Sequence, residues 1–317
     1  MRIDVHAHYW ADEYIALMRR LGRRTSQVER SPAGRLPLDE RVGLLDAVGI
    51  DMQVLSVAQN QPYLASQDDA VAAARLANDL YADASQTYPR RFAAFATLPL
   101  PHVDATLAEI ERSLDTLGMV GVTIGCSVAG RGLDAPLLEP VFAELDRRGS
   151  VVFLHPVGSG VLEGELTTGL AWIMGAPIED TVATFRLVVS GVTTRFPRVQ
   201  FIVPHLGGIL PFVLDRVENT VATQRASGTP VPFEGPVVDQ LRKLWFDIVS
   251  GQPAALRCAC ELWGAQRLML GTDFPYYTGT RLQRLVDGPA AIGLPADDVQ
   301  AILGGTAQKL LRLPVSA

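Results

Sequence analysis

Lysine is nearly missing from this chain: among 317 residues there are two, Lys243 and Lys309. Arginine carries the remaining positive charge without forming a block, and the net charge is −6, which argues against a nucleic-acid partner. Cysteine is also scarce, with Cys126 alone and Cys258 and Cys260 two apart. That spacing gives neither a disulfide framework nor a CxxC metal pair. On a helix the two later thiols point to different faces, so buried free thiols are expected. No apolar run reaches the roughly 20 residues that span a bilayer. The start, Met1-Arg2-Ile3-Asp4-Val5, is strand-like and has no charged-then-apolar leader. A soluble cytoplasmic protein without a membrane partner is the expectation. Nucleophile and nucleotide signatures are missing too. Gly158-Ser159-Gly160 lacks the G-x-S-x-G frame, and there is no phosphate loop or strand-to-helix G-x-G-x-x-G.

What the chain does contain is apolar material for a large core, 48% against 20% charged residues. Short β-branched or apolar runs recur at 3–5, 53–57, 92–98, 120–124, 151–154, 200–204, 245–249 and 268–270. Amphipathic stretches separate them, at 39–48, 67–87, 103–117, 137–148, 178–195, 210–224 and 252–263, with a closing helix at 296–311. Eight strands alternating with helices predict an α/β fold, a (β/α)8 barrel forming one domain over 1–317. The stretch 21–37, rich in Arg, Ser, Gly and Pro, reads as an insertion after the first strand. A second irregular region at 227–236 precedes the seventh. Both are placed to shape substrate choice.

Four of the five histidines and one aspartate end these runs: His6-Ala7-His8, His155-Pro156, His205-Leu206-Gly207-Gly208 and Gly271-Thr272-Asp273. In a parallel barrel all strand ends converge on one mouth, where the chemistry sits. His6 and His8 lie one pleat apart, so they share a face. Gly207 and Gly208 would let a ligand approach the backbone closely. Imidazoles plus a carboxylate suit Zn²⁺ or a similar divalent ion, Mn²⁺ included. His102, in Pro99-Leu100-Pro101-His102, has no strand-end counterpart and reads as a loop histidine with a satisfied polar contact.

Taken together and in this order, the four motifs and Phe274-Pro275 resemble the amidohydrolase superfamily. The resemblance is nearest to its branch of aminocarboxymuconate-semialdehyde and resorcylate decarboxylases, and it covers nearly the whole chain. It implies that His6, His8, His155 and Asp273 hold one divalent metal, most often Zn²⁺, while His205 shuttles a proton. It also implies a homodimer or homotetramer in which Arg216 reaches a neighbouring subunit's site to hold a carboxylate. Binuclear members need a carboxylated lysine at the end of a middle strand, and neither lysine here is so placed. A mononuclear site follows.

Trp10, Trp172, Phe274, Tyr276 and Tyr277 follow ligand strands and could wall a flat substrate. The expected function is therefore non-oxidative decarboxylation of a small aromatic acid of ortho-hydroxybenzoate type, or of a conjugated acid. His205 or Asp273 would protonate the ring carbon as CO₂ leaves. The alternative is a hydrolase of a lactone or amide, with His205 orienting metal-bound water and Asp273 handling the proton. A non-catalytic barrel fits less well, because every ligand is retained.

Overall fold

The strands are short, and what they share is an ending. In a computed structural model that describes residues 1–158 and 170–314, they are β1 Ile3–His8, β2 Met52–Ser56, β3 Phe92–Thr97, β4 Gly121–Gly125, β5 Val151–His155, β6 Gln200–Val203, β7 Trp245–Asp247 and β8 Leu268–Met269. Every neighbouring pair is parallel and in chain order from β1 to β8. The ring closes through the segment after β8. Val5 N donates to Leu270 O at 2.9 Å, Asp273 N to His6 O at 2.8 Å, and His8 N to Phe274 O at 2.8 Å. This is the eight-stranded barrel that the alternation predicts.

Each strand is followed on the outside by a helix: Leu38–Val48, Gln67–Thr87, Val103–Glu111, Glu139–Arg148, Gly175–Val189, Leu210–Ala226, Pro253–Trp263 and Gly279–Ala291. Their apolar faces meet strand residues such as Leu55, Ile124, Leu154 and Val203 in one buried layer. Phe95 and Phe153 stack at 5.3 Å beneath the mouth, and Phe153 meets the ring of His6 edge-on at 5.0 Å. The closing helix brings Ala307, Leu311 and Leu313 against Ile3 and Val5 of β1.

Three local features differ from the pattern-based expectation. Helix Gly279–Ala291 goes unpredicted, although Leu282, Leu285, Val286 and Pro289 are buried at helical spacing. Gly288-Pro289 near its end hides that period, because proline removes a helix donor. The insertion is ordered rather than irregular, with helices Asp12–Arg20 before it and Ser26–Arg30 within it. The closing helix is helical from Ala296 to Leu310 but widens by a turn at Ala301–Gly305. There a Cβ on Gly304 would lie 2.0 Å from Met1 O, so the glycine lets the N-terminus cross.

All three cysteines are free; Cys126 is buried, but Cys258 and Cys260 are only half-buried, contrary to expectation. The reason is their position on the outer helix Pro253–Trp263, whose core face is instead Leu256, Ala259 and Trp263. Among the described residues no helix is long and apolar enough to cross a membrane.

Candidate metal centre and active site

Barrel closure puts His6, His8, His155 and Asp273 together, with one ligand atom of each within 4.8 Å of all the others. Asp273 Oδ1 lies 3.2 Å from His6 Nε2 and 3.0 Å from His8 Nε2, and the two Nε2 atoms are 3.3 Å apart. The opposite face of each imidazole decides what it can offer. His6 Nδ1 contacts Asp247 Oδ2 at 2.6 Å, and His155 Nδ1 contacts the carbonyl of Pro156 at 2.7 Å. Each bond favours a ring proton on Nδ1, so that the neutral ring presents its Nε2 lone pair, the arrangement by which outer carboxylates and carbonyls orient metal-bound histidines. His155 Nε2 is buried and has no hydrogen-bond partner among the described residues. Imidazole nitrogens this close, with a lone pair left over, are stable around a cation. The donor set fits one divalent ion.

The electrostatics agree. Burial holds His8 down to about 4, and burial together with His8 and His6 holds His155 well below the usual imidazole range. Both are therefore neutral donors at physiological pH. Burial opposes a charge on His6, but Asp247 and Asp273 outweigh it and raise that ring to about 9. Burial likewise opposes the charge on Asp273, yet His6, His205 and His8 hold its carboxyl well below the usual range.

His205 sits at the rim. Its side chain is 16% exposed and that of Asp273 13%, while His6 and His8 are fully covered. Its Nδ1 meets Asp180 Oδ2 at 2.7 Å, and its Nε2 lies 3.8 Å from Asp273 Oδ2. Burial disfavours the imidazolium, but Asp180 and Asp273 overcome it and push His205 well above its usual range. The backbone here is unusual: His205 has φ +54° and Asp273 φ +55°, both left-handed. An L-residue in that region costs about 1–2 kcal/mol, and such strain gathers at functional sites.

Gly207 and Gly208 do not open room for a ligand, as the sequence had suggested. A Cβ on Gly208 would lie 2.1 Å from Pro177 O, and one on Gly207 3.1 Å from the Phe246 ring. The space is filled by protein. That close approach of helix Gly175–Val189 is what brings its Asp180 to His205.

Sequence reasoning missed Asp180 and Asp247. Asp247 ends β7, so the rule that found the histidines covers it, but an overlong strand at 245–249 placed it mid-strand. Its other oxygen accepts from His205 N at 2.8 Å, tying two functional histidines to one carboxylate. Asp180 lies on a helix and carries no local signal.

The aromatic residues divide. Trp10 is fully buried, edge-on to His8 at 5.4 Å, and Gly34 of the insertion accepts its backbone N–H at 2.9 Å. Tyr276 is 37% exposed and edge-on to His8 at 5.3 Å, with Gln59 Nε2 donating to its hydroxyl at 2.7 Å. Trp172 is half-buried and lies against Gly158, just past His155. Phe274 is 1% exposed and packs on the Arg41 guanidinium at 4.6 Å, beneath the mouth rather than in it. Tyr277 is half-buried near Gly251. Arg216 is exposed on helix Leu210–Ala226 and is not among the side chains gathered here. His102 has the polar contact expected of it, its Nε2 lying 3.0 Å from Leu64 O.

A consequence follows for metal binding. With His6 raised to about 9, the metal-free ring is protonated at pH 7 and the ion must displace that proton. Zn²⁺ or Mn²⁺ affinity should therefore rise with pH up to about 9 and level off above it. Titration calorimetry at pH 7 in buffers of different ionisation enthalpy should register about one proton released per ion. Binding heats identical in all buffers would contradict this.

Other chains resemble this one in sequence or in fold. The 2-amino-3-carboxymuconate-6-semialdehyde decarboxylase of Dictyostelium discoideum is 31% identical over 76% of this chain and 67% of its own length. The 6-methylsalicylic acid decarboxylase of Penicillium expansum is 28% identical over 98% of this chain and 95% of its own. The crystal structure of a dihydroxybenzoic acid decarboxylase from Polaromonas sp. JS666, with bound manganese and the inhibitor 2-nitroresorcinol, superposes with a TM-score of 0.83. It is 24% identical, and the match covers 99% of this chain and 98% of that one. The amidohydrolase family profile matches residues 3–313, and the chain belongs to that family.

Proposed function

We propose that the protein is a metal-dependent, non-oxidative decarboxylase of a small aromatic acid with a hydroxyl ortho to its carboxylate. The observation that carries this reading is His205, paired through Nδ1 with Asp180 at 2.7 Å and standing at the rim of a buried four-donor cluster. A divalent ion held by His6, His8, His155 and Asp273 would anchor carboxylate and phenolate oxygens and draw charge from them as a Lewis acid. Zn²⁺ and Mn²⁺ both suit imidazole and carboxylate donors, and the Polaromonas relative holds manganese.

The chain's own groups supply the rest. His205 gives its Nε2 proton to the ring carbon that bears the carboxylate. The carbon–carbon bond then breaks, its electron pair returns to the ring, and CO₂ leaves. Asp180 keeps His205 oriented and charged, and Asp273 is held ionised, so His205 rather than Asp273 is the proton donor in this account. Tyr276 walls a flat ring beside His8, with Trp10 behind it and Trp172 on the His155 side. Relatives named as decarboxylases of 6-methylsalicylic and dihydroxybenzoic acids support the substrate class. A hydrolase would use the same donors, but the relatives similar in sequence are named as decarboxylases. Three free thiols are in keeping with the reducing cytoplasm.

We further propose a homo-oligomer. Phe212 is 85% exposed, Ile173 69% and Met174 52%, on the elements that follow β5 and β6. Singly exposed apolar residues need no explanation, but several on neighbouring elements suit a second copy of the chain. Arg216 lies one helical turn beyond Phe212 on the same face, and in this reading it is the residue that reaches the partner's site and holds the substrate carboxylate.

Two measurements test these readings. Metal-loaded protein should release CO₂ from 6-methylsalicylate or 2,6-dihydroxybenzoate, His155→Ala should be silent, and His205→Gln should bind metal with kcat lowered about 10²–10⁴-fold. Silence of the loaded wild type across a panel of ortho-hydroxybenzoates would contradict the decarboxylase. Sedimentation should give a dimer or tetramer, and Arg216→Ala should raise KM without dissociating it. A fully active monomer, or an unchanged KM, would remove the oligomer from the account.

A further inference from the structure

We infer that Asp4 and Thr272, which are not among the metal donors, are positioning residues that set the shape of the centre and thereby its metal affinity. The inference rests on the metal reading above. Asp4, Gln53, Thr272 and Arg41 are all fully buried, an unusual concentration of polar groups for the buried junction between strands and the helix Leu38–Val48. They form one connected network. Asp4 Oδ1 accepts from His6 N at 3.1 Å and Thr272 N at 2.9 Å. Asp4 Oδ2 accepts from Thr272 Oγ1 at 2.6 Å and Gln53 Nε2 at 2.7 Å. A single carboxylate therefore ties β1, β2 and the segment after β8, whose mutual placement decides whether His6 and Asp273 meet.

Arg41 completes the circuit. Its Nε donates to Gln53 Oε1 at 2.8 Å and its Nη1 to His8 O at 2.8 Å, while its guanidinium lies over Phe274 at 4.6 Å. β1, which carries His6 and His8, and the segment that carries Asp273 are thus both held by side chains of a single network.

Thr272 has a second task. Its Oγ1 donates to Asp4 and also accepts from Phe274 N at 3.2 Å. The two neighbours of Asp273 are thereby clamped, and Asp273 between them keeps the left-handed φ of +55° that points its carboxylate at the two histidines. Without that hydroxyl the strained residue can relax toward ordinary backbone geometry and carry its oxygen away. Outer groups that orient metal ligands typically alter affinity about 10–100-fold when removed.

The test compares Thr272→Val, which preserves shape and deletes the hydroxyl, with Thr272→Ser, which preserves the hydroxyl. Mn²⁺ and Zn²⁺ affinities are measured by equilibrium competition with a chelator, alongside the melting temperature of the metal-free protein. Thr272→Val should bind both ions about tenfold or more weakly, and Thr272→Ser should restore the wild-type affinity. Asp4→Asn should weaken binding in the same way, since an amide nitrogen cannot accept the bonds that Oδ2 accepts. Equal affinity of Thr272→Val and wild type would overturn the inference, as would a Thr272→Ser variant as weak as Thr272→Val. A lowered melting temperature with unchanged affinity would also overturn it, reducing the network to a packing device. Wild type that binds neither ion would instead remove the metal reading itself.

Discussion

Closure of the barrel between β1 and the segment after β8 is the constraint on which everything else rests. Seven strand-to-strand steps could form with this junction open, and the protein would still bury most of its core. His6 and His8 would then be an isolated pair, with Asp273 elsewhere. The bonds Asp273 N to His6 O and His8 N to Phe274 O bring together ligands that lie more than 260 positions apart in the chain. The closure is backbone chemistry, so it is indifferent to the identity of the ligand side chains. What it needs is a segment that can run close to β1, and Gly271 allows that. A Cβ there would lie 2.7 Å from Asp247 Cβ and 3.0 Å from His6 Cβ.

Charge is the second constraint. Asp273, Asp247 and Asp180 surround four imidazoles in a region with little access to water. Buried carboxylates are stable only when paired or hydrogen-bonded. Two of the imidazoles, His8 and His155, are held neutral by burial, so they cannot balance those charges. His6 and His205 do so by holding protons, and a divalent ion does it better at the inner position because it also engages the neutral donors. The division of labour follows from depth. Inner groups are suited to an ion, and the rim group, still reached by solvent, is suited to moving a proton.

The strands and the five polar residues that gather at the mouth were legible in the sequence for one reason. A buried parallel strand is an apolar run, and a polar residue at its end stands out. Side chains that act through tertiary approach gave no such signal. Asp180 depends on a helix drawn in at Gly208, a glycine that looked like room for a ligand. Arg41 sits in an amphipathic stretch where an arginine ordinarily faces water, yet it is fully buried. Helix Gly279–Ala291 was obscured by Gly288-Pro289. Asp247 was hidden only by a boundary drawn two residues too far. Local pattern thus revealed the frame and the side chains gathered at its mouth, whereas the groups that surround them became visible only in three dimensions.

The central claim is that four residues from three strand ends hold one divalent ion while His205 stays free of it. Crystals of the protein loaded with Mn²⁺ and measured at the manganese absorption edge would test it most directly. The account predicts one anomalous peak within bonding distance of His6, His8, His155 and Asp273, with the His205 imidazole outside that shell. A peak at another place, an ion that leaves out His155, or no ordered ion in loaded protein would contradict it.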